Sequence, residues 1–193
     1  MTQMPRNSED ARYRLQIAAL ELFTQNGFDQ TTAAQIAARA GVTERTFFRH
    51  FPDKREVLFV GQEILSAALT EAIRLAPADL PPIAVLRRAF ADVTPLLEGN
   101  RRFSEPRQHI IAANPALMER EVAKHAALAG VVAGALQKRG IAPARAAFAA
   151  QAGLAVLGHA IDLWFANAAR PLAQCLAEAF MELDLFVAPT KGS

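Results

Sequence analysis

The chain has a single cysteine, Cys175, one Trp and one Tyr in 193 residues. A lone thiol cannot close an intrachain disulfide, which excludes a disulfide-stapled scaffold and suits a reducing cytoplasmic setting. Aromatic residues are 7% of the chain, and 12 of them are Phe. An excess of either charge is also missing: 21 Lys+Arg stand against 19 Asp+Glu, a net charge of +2. Residues 1–60 hold 8 Lys/Arg against 7 Asp/Glu, and the remainder holds 13 against 12. Net charge therefore argues neither for nor against a nucleic-acid partner. Long hydrophobic runs are lacking too. The longest charge-free stretch, Ala146–Ile161, is 16 residues and includes Gln151 and His159, short of the about 20 apolar residues of a membrane span. The N-terminal MTQMPRNSEDARYR has no apolar core of the kind a signal peptide needs. Strand runs and hairpin signals are absent as well.

What the chain does have is apolar mass and alanine. Apolar residues make up 52%, enough for a sizeable buried core. Alanine supplies about a fifth of the chain, and it favours helices over strands. The expected fold is all-α. Helical periodicity punctuated by Gly and Pro predicts about nine helices. Ser8, with Glu9 and Asp10 behind it, reads as the cap of the first, which ends at Gly27. Thr32 opens a second that ends at Gly41, and Thr43 a third that Pro52 ends. Asp53 is expected to start a long fourth helix reaching Pro77. A fifth runs from Ile83 toward Leu97, strained or broken near Pro95. A sixth covers Arg101 to Ala113, with Pro106 kinking it or marking its start. Asn114-Pro115 caps a seventh, Pro143 starts an eighth, and a ninth runs from Pro171 to Pro189. The expected division is a three-helix unit at residues 1–53 and a larger helical domain at 54–193, with residues 54–76 as the linking helix.

The informative stretch is TTAAQIAARAGVTERTFFRHFPDKREVL, residues 31–58. Two short helices crossing steeply need a small residue where they approach, and Ala37 fits. Their turn needs a residue tolerant of positive φ, and Gly41 fits. Ile36, Ala40, Val42, Phe47 and Phe51 supply a small core. The second helix is left to present Thr43, Glu44, Arg45, Thr46, Arg49 and His50, groups suited to base edges and phosphates.

On these residues, with Phe23, Gly27, Thr32, Lys54 and Leu58, the chain resembles the TetR (tetracycline-repressor-like) family of bacterial transcriptional regulators. The resemblance implies a regulator, not an enzyme, that binds a double-stranded DNA operator as a homodimer. It implies phosphate contacts from Thr32, Thr43 and Lys54, and base or phosphate contacts from Glu44, Arg45, Thr46 and Arg49. His50 is placed near the DNA backbone. Phe48 stands where the family usually has Tyr; its ring can pack on sugar, but the hydroxyl's phosphate bond is lost. Which bases Glu44, Arg45 and Arg49 contact stays open.

In the larger domain, the eighth helix carries apolar or small residues on nearly every face, so it must be covered on both sides. With the ninth helix it is expected to form a four-helix dimer bundle through Phe148, Leu157, Ile161, Phe165, Leu172, Leu176, Phe180 and Leu183. A small-molecule effector is the family's means of release from DNA. Phe90, Phe103, His109, His125 and Trp164 are its candidate contacts, being the larger or polar members of Ala-rich helices, and an apolar or weakly polar ligand fits them. No metal or other cofactor is expected: His109, His125 and His159 lie on different helices without a second ligand at binding spacing. Gly130 and Gly134 read as a close helix packing. Two other functions stay open: a regulator controlled by protein partners rather than a ligand, and a helical carrier or enzyme, which leaves the TFFRHF face unexplained.

Overall fold

The computed structural model describes residues 6–187, with side chains from Asp10 to Phe186. These residues form nine α-helices and one 3₁₀ turn, with no strand among them. The helices are α1 (Arg6–Asn26), α2 (Ala33–Arg39), α3 (Glu44–His50), α4 (Gln62–Leu75), α5 (Pro82–Gly99), α6 (Arg101–Ala112), α7 (Pro115–Lys138), α8 (Pro143–Ala166) and α9 (Leu172–Val187). The 3₁₀ turn is Glu56–Phe59.

Capping chemistry explains most boundaries. Asn114 Oδ1 accepts from the amides of Ala116 and Leu117 at 3.1 and 3.3 Å, and Pro115, whose missing N–H costs nothing there, opens α7. Glu98 Oε1 accepts from Leu172 N at 2.8 Å, satisfying an orphan donor at the start of α9. Arg139 closes α4 by donating to the carbonyls of Ile73 (3.0 Å) and Ala76 (2.8 Å).

Several expectations about helix limits change or fall outside the described residues. Ser8 lies inside α1, which already begins at Arg6. The expected stop at Pro189 lies outside the described residues. Pro95 neither breaks nor ends α5, which continues to Gly99. The proline leaves the Ala91 carbonyl without its usual donor, and the Thr94 hydroxyl donates to that oxygen at 2.9 Å. Pro106 likewise sits within a continuous α6. The largest change concerns the fourth helix, expected from Asp53. Asp53 Oδ1 instead accepts from the amides of Arg55 (2.7 Å) and Glu56 (3.3 Å), an Asx turn. Val57, Leu58 and Phe59 are then buried with the N-terminal helices. Val60 is extended and Gly61 takes φ +89°, so α4 starts only at Gln62.

The chain divides into two compact units. The first comprises the chain up to Gly61 together with Asn100–Ala123; the second comprises Gln62–Gly99 and the chain from Lys124 onward. The expected cut after residue 53 differs twice: the first unit takes in the 3₁₀ turn, and it also takes α6 and the start of α7. Phe103, Ile110, Ile111 and Leu117 supply the reason, because they are buried with Leu15, Phe23 and Phe47 in one core.

In the second unit α8 packs against α9 and α5. Gly153 lets α5 come close: a Cβ there would lie 2.6 Å from Leu86 Cδ1. Phe90 stacks on Phe180 at 6.3 Å within the core. By length and composition alone α8 could cross a membrane, which the count of charge-free residues did not admit; 39% of its apolar window is buried inside the protein. Four residues expected at a dimer face, Leu157, Leu172, Leu176 and Phe180, are buried in this unit's own core. They are the stripes by which α8 and α9 hold each other and α5, so they present nothing outward. Ile161, Phe165 and Leu183 are half-buried against the same core, and Phe148 alone of the set is exposed, at 74%.

Candidate nucleic-acid interface

The site is built by one tight turn between two short helices. Thr32 caps α2: its hydroxyl accepts from Gln35 N at 3.2 Å while Gln35 Oε1 accepts from Thr32 N at 2.8 Å, a reciprocal capping box. α2 ends at Arg39 with Ala40 as its C-cap, and Gly41 turns with φ +68°. Gly41 N donates to Ala38 O (3.1 Å) and Val42 N to Ala37 O (3.0 Å), the paired bonds of a Schellman motif. Arg14 from α1 donates to the Ala40 carbonyl at 3.0 Å. Thr43 then caps α3, accepting from Thr46 N at 3.2 Å, with the two hydroxyls 3.0 Å apart. Ile36, Ala37 and Phe47 are buried between the helices.

With Phe47 turned inward, the outer side of α3 is set. Glu44, Arg45, Phe48 and Arg49 are exposed, and Thr46 and His50 half-buried. Phe48 meets Phe47 edge-on at 5.4 Å and keeps half its surface exposed. Neither Arg45 nor Arg49 has a hydrogen bond or ion pair among the described residues. The structure thus brings Thr43, Glu44, Arg45, Thr46, Phe48, Arg49 and His50 together on one short helix and its cap, with Thr32 exposed at the start of α2.

Lys54 is placed differently. Its ammonium donates to the carbonyls of Phe28 (2.8 Å), Asp29 (3.3 Å) and Thr31 (2.9 Å) and lies 4.4 Å from the Phe28 ring centre. It ties down the connection between α1 and α2. Thr31, which the sequence reading passed over, is fully buried, and its hydroxyl donates to Gly27 O at 2.8 Å. The 3₁₀ turn is held as firmly. Arg107 and Arg120 each lie 5.1 Å from the Phe59 ring centre, Arg120 pairs with Glu56 at 2.9 Å, and Arg107 pairs with Glu121. No local signal in the sequence marks these partners, which come from helices about fifty residues away or more.

Electrostatically the far end of α3 is the notable one. His50 Nε2 is buried without a hydrogen-bond partner. Burial, then the positive charges of Arg49 and Arg12, lower its pKa from the ordinary histidine value.

The family profile described as bacterial regulatory proteins, tetR family, matches residues 17–59, and that of the MftR C-terminal domain matches residues 80–185. The chain belongs to the TetR family of bacterial transcriptional regulators. It is a DNA-binding regulator of that family, and the matched residues 17–59 include α2 and α3. Over 75 residues, 39% of this TetR-family chain and 33% of the relative, it is 40% identical to the transcriptional regulator TcmR of Streptomyces glaucescens. Over 120 residues, 58% of this chain and 64% of the relative, it is 31% identical to the transcriptional repressor Rv3405c of Mycobacterium tuberculosis. The chain thus spans about a third of the first curated relative and just under two thirds of the second. FadR of Thermus thermophilus, a repressor solved with lauroyl-CoA, superposes with a TM-score of 0.52 at 28% identity, over 94% of this chain and all of that one.

The five candidate effector contacts of the TetR-family chain divide between its two compact units. Phe103 and His109 belong to the first unit, with Phe103 buried and His109 exposed. Phe90, His125 and Trp164 belong to the second: Phe90 and Trp164 are core residues, and His125 is exposed.

Two outcomes follow from the turn and from the half-buried His50. At Gly41 an added Cβ would meet only Arg14 Nη1, at an ordinary 3.5 Å, so Gly41→Ala isolates the backbone cost of positive φ. Urea denaturation should register a loss of about 1–2 kcal/mol; an alanine variant as stable as wild type would refute the turn's role. For His50, a folded pKa below the unfolded one means the unfolded chain takes up the proton first. Its contribution is therefore intact above about pH 6.5 and is lost as pH falls through the lowered folded value. Stability measured from pH 7.5 to 5 should fall more steeply in wild type than in His50→Gln, and equal slopes would contradict the assignment.

Proposed function

We propose that this chain is a homodimeric repressor that reads a palindromic operator through α3 and leaves it when a small apolar or weakly polar effector binds. The observation that carries the reading is the outer side of α3, where Arg45 and Arg49 are exposed and committed to no acid among the described residues. Most other arginines of the first unit are held by carboxylates, as Arg39 is by Glu21 at 2.7 Å. Two guanidiniums left free on a helix whose inner side is locked by Phe47 suit the O6/N7 edge of guanine or a phosphate. Glu44 can accept from a cytosine amino group and disfavours phosphate, so its role is discrimination. Lys54 acts by holding the α1–α2 connection that carries Thr32, and the capped starts of α2 and α3 favour phosphate.

One such helix covers only a few base pairs. Two, held about 34–36 Å apart by a two-fold dimer, read half-sites one DNA turn apart. Exposed Phe148 on α8, with Met181 and Leu185 on α9, supports a dimer face in the second unit. Ile161 and Phe165, on the same helix as Phe148, are half-buried. The effector part of the proposal draws on FadR, whose structure holds lauroyl-CoA, and on SmeT, solved with triclosan. Such a ligand releases DNA only to the extent that it favours the DNA-incompetent state, typically by about 1–3 kcal/mol.

The test is retention of the DNA upstream of the chain's own gene across a salt series. Arg49→Ala should weaken it by roughly 10-fold or more, the scale of one lost base contact, and wild-type affinity should fall steeply with salt. Salt-independent retention would overturn the reading. For the dimer, Phe148→Glu should shift sedimentation from dimer to monomer and weaken retention in parallel. A wild type that sediments as a monomer at micromolar concentration rules the dimer out.

A further inference from the structure

The first unit has further free guanidiniums beyond Arg45 and Arg49, and one of them adjoins the recognition helix from outside. Arg12 lies on α1, with its guanidinium carbon 5.7 Å from the centre of the Phe51 ring. Phe51 is the C-cap of α3. Arg12 is exposed and has no carboxylate or hydrogen-bond partner among the described residues, whereas Arg14, two residues further along α1, is engaged by Asp10 and the Ala40 carbonyl. Its charge is close enough to His50, with that of Arg49, to oppose the imidazole's protonation. Three cationic or ionisable groups from two helices thus converge where α3 ends: Arg12, Arg49 and His50.

We propose that Arg12 is a sequence-independent phosphate contact that anchors the C-terminal end of the recognition helix, opposite its Thr43 cap. The geometry carries this. Seven helical residues rise about 10 Å, and the major groove is about 12 Å wide. A helix of that length lying across the groove brings one end toward each phosphate wall. At its start, Thr43 and free amides favour an anion. Its other end is a helix C-terminus, which repels phosphate unless a cation is supplied, and Arg12 supplies one from a rigid neighbouring helix. Because it would touch phosphate alone, it adds affinity without sequence preference.

The inference rests on α3 being the DNA-reading helix, and the experiment separates the two. Binding to the upstream fragment and to a random 40-base-pair duplex is measured from 50 to 300 mM KCl for wild type, Arg12→Gln, Arg12→Lys and Arg49→Ala, with thermal melts alongside. Arg12→Gln should weaken both duplexes by the same factor, roughly 5- to 10-fold at 100 mM salt, and lower the log–log salt slope by about 0.9 per protomer. Arg12→Lys should restore the slope. If Arg12 only packs on Phe51 and complements the helix end, affinity falls without a change in slope, and the proposal is overturned. It is equally overturned if the loss is confined to the upstream fragment. Failure of the wild type to show any salt-dependent binding would instead remove the recognition-helix reading, and this inference with it.

Discussion

The left-handed turn at Gly41 is the constraint on which the geometry of α3 depends. Once its φ is positive, Val42 N can reach back to Ala37 O, and α2 ends within a single residue. The chain then enters Thr43 in an extended conformation, which sets the direction of α3. Phe47 falls inward onto Ile36 and Ala37, and the outer residues of α3 have no remaining choice of side. Arg14 makes the turn tertiary as well as local, because its bond to the Ala40 carbonyl fastens it to α1. A seven-residue helix has little stability of its own. Its capped start, its buried Phe47 and this fastening are what hold it rigid enough to present side chains to a groove.

Charge placement follows the same logic of commitment. The protein is almost neutral in composition, and most guanidiniums in its first unit are matched by a carboxylate: Arg39 by Glu21, Arg55 by Asp53, Arg120 by Glu56. These exposed or half-exposed pairs add little stability individually. Their consequence is electrostatic contrast. Positive charge that is neutralised elsewhere on the unit remains unneutralised on and beside α3, so an attractive field is concentrated where DNA would lie even though the net charge is +2. Phe59, flanked by Arg107 and Arg120, shows the other use of a guanidinium, as a flat apolar-compatible plate that fixes the 3₁₀ turn.

Most of the helix order was legible because Gly and Pro act locally. Asn114-Pro115 and Pro143 mark starts whose chemistry involves only neighbouring residues, and the Gly41 motif is equally self-contained. What was not legible required long-range knowledge. Lys54 looks like a solvent-facing cation until the carbonyls of Phe28, Asp29 and Thr31 are placed around it. The segment Val57–Leu58–Phe59 has an acceptable helical pattern, yet its burial against the N-terminal helices draws it out of α4. Pro95 reads as a break unless Thr94 is seen to satisfy the carbonyl that the proline abandons. Arg12 stands 37 positions before Arg49 in the chain, and periodicity carries no information about which surface residues of separate helices converge.

The alanine-rich α8 exposes a limit of composition that is physical rather than statistical. A helix apolar on every side requires cover on every side, but hydrophobicity does not assign which stripe goes inward. Side-chain size does. Ala146, Ala149, Ala150 and Gly153 lie in the stripe against the core, because α5 brings Leu86 and Phe90 so near that a Cβ at residue 153 would collide. Bulk that cannot fit there is displaced outward: Phe148 lies within the span from Ala146 to Ala149, both buried, and is nonetheless three-quarters exposed. The largest apolar side chain near the start of α8 is therefore on the outside because the interior contact is too close to admit it. A large aromatic ring kept in water by its neighbours' packing is a standing free-energy cost of burial forgone, and the proposed dimer would offset it, because two-fold symmetry sets the same surface against itself.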